Sequence, residues 1–175
     1  MISSIEAFLK YFDGVNRRAV RDVSALAPEA ETWRPPPGEG EAAWSVGEIV
    51  HHMAVSRLWF AQGFATGDWA QPELASSGAT RAEWAEALNA SAARLRETLA
   101  PLSDDMLARR IPFLDGSDGS MSAWRYLMMM VEHEVHHRSQ VQAYAGLNGW
   151  PVQQIFGRTA EQVGFKPAPV NATGS

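Results

Sequence analysis

The chain has 175 residues, a length that fits one hydrophobic core and is short for two. Apolar residues make up 46% of it and charged residues 20%, which excludes a disordered polar chain. The absence of cysteine excludes disulfides, thiolate metal ligands and a cysteine nucleophile, and a formal net charge of -5 gives no attraction to nucleic-acid phosphates.

The first half of the sequence predicts two helices joined by a proline-rich connector. Apolar residues recur every three or four positions over about residues 4–26, which is the period of an amphipathic helix. The segment 34–40 contains three consecutive prolines, which fix φ and remove backbone donors, so no helix can continue through it. Ser45 and Glu48 have capping-box spacing and predict a second helix that extends to about residue 66.

A long crossover leads to the third helix. Residues 67–78 mix Gly, Asp, Pro and Ser without periodicity, and a connection of this length joins helices that are not antiparallel neighbours. Thr80 and Glu83 repeat the capping spacing and predict a third helix that ends at Pro101.

The remaining sequence predicts a fourth helix over about 122–146, after a breaker-rich loop over 111–119. A short terminal helix is expected over about 149–162. The sequence therefore predicts an all-α fold, a four-helix bundle over 1–165 followed by a flexible tail over 166–175.

No part of the sequence suggests export or a membrane span. The first ten residues carry charges where a secretory signal needs an apolar run, and no stretch approaches the roughly 18 apolar residues of a membrane helix. We therefore expect a cytoplasmic protein without membrane or nucleic-acid partners.

Five histidines occur in two groups, and this clustering is the most informative feature of the sequence. His51 and His52 lie in the second predicted helix, and His133, His136 and His137 lie in the fourth. Residues i and i+4 are about 40° apart on a helix, so His133 and His137 can direct both imidazoles at one metal ion. His136 lies roughly 60° to 100° away and should fall at the edge of the inward face.

The second helix can supply a third ligand, and helical phase favours His52 while leaving His51 as the alternative. Ser56 and Gly63 lie within about 40° of His52 and are small, which leaves room for a metal ion and a substrate. A single inward histidine is usually a hydrogen-bonded core residue. Three inward imidazoles are harder to explain by packing, because each one needs its own polar partner.

Other side chains near the histidines have alternative roles. Glu48 and Glu134 are candidate acceptors for imidazole N–H groups, but we expect Glu48 to be a helix cap and Glu134 to be a solvated side chain. Trp44, Trp59 and Trp124 are expected to be core residues rather than a surface for substrate.

Two motifs resemble those of the DinB-like superfamily, also called the DinB/YfiT-like metalloenzymes. The run HEVHHRSQ over 133–140 resembles the family's HxxHHRxQ signature, and WSVGEIVHHMA over 44–54 resembles its second-helix motif. The run over 145–157 also looks like the family's tail after the fourth helix. Ser139 replaces a glycine that is frequent in the family, a departure that does not affect a ligand position.

The resemblance implies a divalent metal site with ligands at His52, His133 and His137. It also implies a bundle in which the long crossover makes the second and third helices parallel, and it implies frequent homodimers. Zinc is the default choice among the ions that three-histidine sites accept, which include Ni, Fe and Mn.

Three neutral imidazoles leave an open coordination position, which is typical of a catalytic site. The resemblance implies an enzyme that uses a low-molecular-weight thiol such as bacillithiol or mycothiol, as an S-transferase or an isomerase, on a small-molecule substrate. Arg138 and Gln140 are candidates for binding this cofactor or for bracing the bundle. The alternatives are a hydrolase that uses a metal-bound hydroxide, and a non-catalytic stress protein that binds a metal or a small ligand.

Overall fold

The computed structural model describes residues 2–74, 76, 78–154, 157–159 and 161–164. Four long helices and one short β-ribbon form the architecture of this part of the chain. They are α1 Ile5–Ser24, α2 Val46–Thr66, α3 Arg81–Leu99, α4 Ala123–Leu147, and the antiparallel strands β1 Arg110–Pro112 and β2 Ser120–Ser122. Single 3-10 turns occupy Pro28–Glu31, Gly40–Ala43, Asp104–Ala108 and Glu161–Val163. The predicted all-α fold class is confirmed.

The helices begin where the sequence places capping residues. The Ser45 hydroxyl accepts from the backbone N–H of Glu48, whose carboxylate accepts from the backbone N–H of Ser45. Thr80 and Glu83 form the same reciprocal pair at the start of α3. These caps satisfy backbone N–H groups that a helix leaves unpaired in its first turn, so the predicted helix starts are confirmed.

Helices α2 and α3 run parallel to each other. Gly47 near the start of α2 lies against the indole of Trp84 near the start of α3. Nearly three turns further along α2, Arg57 donates to the carbonyl of Leu88 and the hydroxyl of Ser91, which lie further along α3. The long crossover between them makes this order possible, because it carries the chain back along the bundle.

Helix α4 runs antiparallel to α2, and α1 runs antiparallel to α3. The contact of His52 with His137 and that of Arg57 with Glu134 fix the first relation. The second follows from ion pairing of Asp13 with Arg96, together with the side-chain hydrogen bond between residues 16 and 89. The inner faces of α2 and α4 therefore lie opposite each other in the bundle.

Two differences from the predicted elements concern the connecting segments. The breaker-rich loop over 111–119 is flanked by the β1–β2 ribbon, which the sequence did not predict. Of the terminal helix expected over 149–162, the described residues hold only the 3-10 turn Glu161–Val163. The predicted tail over 166–175 lies outside the described residues. Within the described chain, none of the helices has both the length and the apolar character needed to cross a bilayer.

Candidate metal centre

Three histidine rings from two antiparallel helices meet at one point in the bundle. His52 of α2 lies with its Nε2 atom 2.8 Å from Nε2 of His133, and Nε2 of His137 lies 3.1 Å from the same atom. The ring centroids of the three residues are 4.4 to 4.8 Å apart. The i, i+4 spacing brings the two α4 rings to one face, and the antiparallel partner helix supplies the third.

Hydrogen bonding among the rings cannot satisfy this arrangement. The Nε2 atom of His133 faces two other ring nitrogens, and a neutral imidazole nitrogen carries at most one proton. This nitrogen offers either one proton or one lone pair, so it can make one well-directed hydrogen bond and the second short contact is left without one. A cation that accepts all three lone pairs removes the conflict, so the donor set fits a divalent metal ion.

Gln140 fixes the orientation and the protonation of the His137 ring. Its amide nitrogen donates to the backbone oxygen of Glu41 at 2.6 Å and to the hydroxyl of Tyr144 at 3.2 Å, which directs its amide oxygen at Nδ1 of His137, 3.1 Å away. An amide oxygen only accepts, so Nδ1 carries the proton and Nε2 keeps its lone pair. This is the arrangement of a histidine prepared for metal binding through Nε2.

The surroundings keep all three rings neutral. Burial, followed by the neighbouring rings of His137 and His52, lowers the pKa of His133 to about 3. Burial also lowers the pKa of His52, with His137 as the next cause. Burial lowers the pKa of His137 as well, although the hydrogen bond with Gln140 opposes this shift. Neutral imidazole is the form that binds metals, and it is the dominant form of all three at neutral pH.

The other two histidines lie outside this group. His136 is exposed, at the edge of the inward face as the helical phase predicts, and its Nε2 atom lies 3.6 Å from the carboxylate of Glu41. His51 points to a cavity on the other side of His52, and its buried Nδ1 atom has no hydrogen-bond partner among the described residues. Between the two candidates on α2, the structure brings His52 to the pair on α4.

The space beside Gly63 is filled by protein, contrary to the expectation that it would hold a metal ion or a substrate. A Cβ atom at this position would lie 2.1 Å from the indole of Trp69, which comes from the crossover between α2 and α3. Gly63 therefore serves close packing of an aromatic ring. Ser56 does line a cavity beside His52.

The expectation of a solvated Glu134 is wrong. Its side chain is 1% exposed and accepts from Nε and Nη2 of Arg57 at 3.0 and 2.5 Å. Arg138 is also buried, and its guanidinium donates to the carboxylate of Asp22 at 2.6 and 3.1 Å. Arg138 lines neither cavity next to His52, so its contacts are those of a residue that braces the bundle.

Two residues of the connector lie over the histidines, and sequence reasoning had missed this relation. The ring of Trp44 is 4.9 Å from that of His52 and stacks on His137 at 6.2 Å. The Glu41 carboxylate comes close enough to His137 and His136 for the three to form a second group of possible metal ligands, and its charge opposes the lowering of the pKa of His52 and His137. Only the capping spacing at Ser45, which fixes where α2 begins, could have indicated that the connector ends at the site.

Two cavities meet at His52. The polar cavity, of about 640 Å³, lies near the starts of α2 and α3, and its lining includes Glu31, Ser45, Glu48, His51 and Ser76. The aromatic cavity, of about 590 Å³, begins at His52 and His133, and its walls are Trp59, Phe60, Trp69, Leu114 and Met129. Both volumes are in the range of small-molecule sites, roughly 300 to 1,000 Å³.

Comparison with known proteins gives a family match and structural neighbours. The model of the DinB superfamily matches residues 7–141. A DinB-like protein from Bacillus cereus ATCC 10987 superposes with a TM-score of 0.67 at 17% identity, covering 88% of this chain and 99% of its own. The DinB-like protein YjoA from Bacillus subtilis gives a TM-score of 0.64 at 18% identity, with 84% and 96% covered. No curated protein matches the sequence.

Proposed function

Because this chain belongs to the DinB superfamily, we propose that it is a metal-dependent enzyme that joins a low-molecular-weight thiol to a small electrophile, as an S-transferase or an isomerase. His52, His133 and His137 are the proposed ligands of a divalent ion. The observation that carries the proposal is the meeting of three Nε2 atoms that cannot all be satisfied by hydrogen bonds among themselves.

His52, His133 and His137 would hold the divalent ion, which would supply the Lewis acidity that lowers the pKa of a thiol and makes it a better nucleophile at neutral pH. The chain has no cysteine, so the nucleophilic sulfur must come from a cosubstrate. His137 is held in the binding tautomer by Gln140, which makes Gln140 a positioning residue rather than a cofactor ligand.

The two cavities suit two substrates that meet at the histidines. The polar cavity offers carboxylate, hydroxyl and imidazole groups to the polar body of a thiol such as bacillithiol or mycothiol. The aromatic cavity opens from the same histidines and can hold the second substrate. In the transfer reaction, the sulfur bonds to the electrophilic carbon, the leaving group departs with the bonding electron pair, and the thiol proton passes to solvent.

A direct test combines metal analysis with a panel of thiols. The purified protein is expected to contain about one divalent ion per chain, with zinc as the proposed ion, and to accelerate the reaction of 1-chloro-2,4-dinitrobenzene with bacillithiol or mycothiol. The triple variant H52A/H133A/H137A should lose both properties, and the variant S139A serves as the control because Ser139 is exposed on the same helix.

Each other outcome identifies a different function. Full turnover by the metal-free triple variant would refute the metal-dependent proposal. Activity of the metal-loaded protein on ester substrates without any thiol would identify a hydrolase. A loaded protein that turns over neither class of substrate would identify a binding protein.

Homodimer formation and a cytoplasmic location remain proposals that rest on the sequence. Light scattering coupled to size-exclusion chromatography distinguishes a dimer of about 38 kDa, twice the 19.2 kDa chain, from a monomer.

A further inference from the structure

We infer that the aromatic cavity binds the flat, neutral aromatic body of the electrophilic substrate, with its reactive end toward His52 and His133. This inference rests on the proposed function and adds the chemical class of the second substrate. The lining of the cavity supports it, because His52 and His133 are part of that lining and an aromatic body in the cavity would lie beside them.

The walls of the cavity are fixed before any ligand binds. The indole nitrogen of Trp59 donates to the backbone oxygen of Trp69 at 2.7 Å, and the indole nitrogen of Trp69 donates to the backbone oxygen of Pro112 at 3.3 Å. The Trp69 ring also packs against Tyr126 with centroids 4.7 Å apart and against the bare backbone of Gly63. Rigid aromatic walls lose little entropy when a ligand binds, which favours flat apolar guests.

The charge of the lining indicates a neutral rather than an anionic guest. Among the described residues that line the cavity, there is no lysine or arginine, and the polar ones are Ser56, Gln71, Glu132 and the two histidines. Glu132 is exposed at the rim and adds a negative charge. An anionic guest would therefore lose its hydration without gaining a counter-charge from the protein.

A pair of nearly isosteric probes tests the inference on metal-free protein. 2-Naphthamide is neutral and 2-naphthoate is an anion of almost the same shape. In calorimetric titrations of the EDTA-treated protein we expect 2-naphthamide to bind at least about tenfold more tightly than 2-naphthoate. The E132Q variant should reduce the ratio of the two affinities, because it removes the negative charge at the rim of the cavity.

Variants of the wall locate the binding site. W59A, which removes one wall, and M129W, which fills the cavity, should each weaken 2-naphthamide binding by about tenfold or more. W124A is the matched control, because Trp124 is also half-buried but does not line this cavity. Circular dichroism establishes that each variant is folded, and M129W provides the test if W59A does not fold.

The result that would overturn the inference is equal affinity for the two probes, or binding by W59A and M129W at the wild-type affinity. This failure differs from a failure of the proposed function, because the titrations use no metal, no thiol and no turnover. A protein that binds metal and uses thiols, yet shows no preference for 2-naphthamide, would refute the inference alone.

Discussion

Helix α4 carries two pairs of polar residues with the same i, i+4 spacing on neighbouring faces, and the two pairs differ in how their polar atoms are partnered. His133 and His137 form one pair, and Glu134 and Arg138 form the other. On the second face, the protein itself supplies an oppositely charged hydrogen-bonding partner for each charged group. On the first face the ring nitrogens converge and lack a satisfactory set of partners.

The charged face, formed by Glu134 and Arg138, is paired with buried groups of the neighbouring helices. Arg57 is 0% exposed, and its three nitrogens find acceptors in Glu134, Asn16, Ser91 and the carbonyl of Leu88. A buried charge with a full set of hydrogen bonds needs nothing further, so this face holds the bundle together. The histidine face brings three ring nitrogens to one point, with a cavity on each side. This difference separates a polar cluster that is completed within the bundle from one that can still bind a ligand.

The largest effect is expected from removing the central nitrogen of the histidine face. H133A should reduce metal content from about one ion per chain to background, because Nε2 of His133 faces both other ligands. The free energy of unfolding of the metal-free protein should change by about 1 kcal/mol or less, since the rings gain little from one another. Elemental analysis and urea unfolding measure the two quantities, with S139A as the control at an exposed position on the same helix. Stoichiometric metal in H133A would remove the contrast between the two faces.

Breaking the charged face should have the converse effect. E134Q leaves the buried guanidinium of Arg57 without its counter-charge, and we expect a loss of roughly 3–5 kcal/mol in the free energy of unfolding. Metal content per folded molecule should stay at the wild-type level. E132Q is the control, because Glu132 is exposed on the same helix. A loss in E134Q no larger than in E132Q would mean that the ion pair does not stabilise the bundle.

A smaller effect on metal binding is expected from removing the hydrogen bond between Gln140 and His137. Q140L removes the acceptor of the Nδ1 proton and should weaken metal affinity by about 10- to 100-fold. Q140E keeps an acceptor for the Nδ1 proton but loses the donation to the backbone oxygen of Glu41, so it should restore only part of the affinity. Competition with a chromogenic chelator measures both, and S139A serves as the control at an exposed neighbouring position. Equal affinity in Q140L and wild type would show that the ring needs no such support.

A further prediction concerns the dependence of stability on pH. The pKa of His133 is near 3 in the folded protein and near its ordinary value of 6.5 in the unfolded chain, so below pH 6.5 the unfolded chain binds more protons. The metal-free protein should therefore lose stability as pH falls from 6.5 toward 3. Urea unfolding across this range should give a flatter curve for H133Q, which lacks the titrating ring. Identical slopes for the two proteins would contradict the neutral state of His133.

The sequence predicted the helices and the histidine pair because both depend on local spacing. Capping boxes at Ser45 and Thr80 begin α2 and α3 where expected, and the spacing of His133 and His137 is a property of one helix. Helical phase also distinguished His52 from His51. These are contacts within one element or between faces that periodicity defines.

What the sequence could not predict depends on contacts between distant segments. Glu134 is buried because Arg57, 77 positions away, pairs with it, and periodicity gives no means of matching such partners. Trp69 fills the space at Gly63 from a crossover without regular structure. Glu41 reaches the site from a connector whose course is set by packing. The β-ribbon was missed because strands of three residues are too short to show alternation.

Because the Trp69 ring packs on Gly63, the crossover between α2 and α3 forms part of the cavity beside the histidines. The three histidine rings are carried by helices α2 and α4, whereas a wall of the adjoining cavity comes from the crossover. Substitutions in that loop should change the shape and chemistry of the cavity without moving the three histidine rings. For directed evolution of the proposed enzyme, the segment around Trp69 is therefore the region to randomise when a different substrate is wanted.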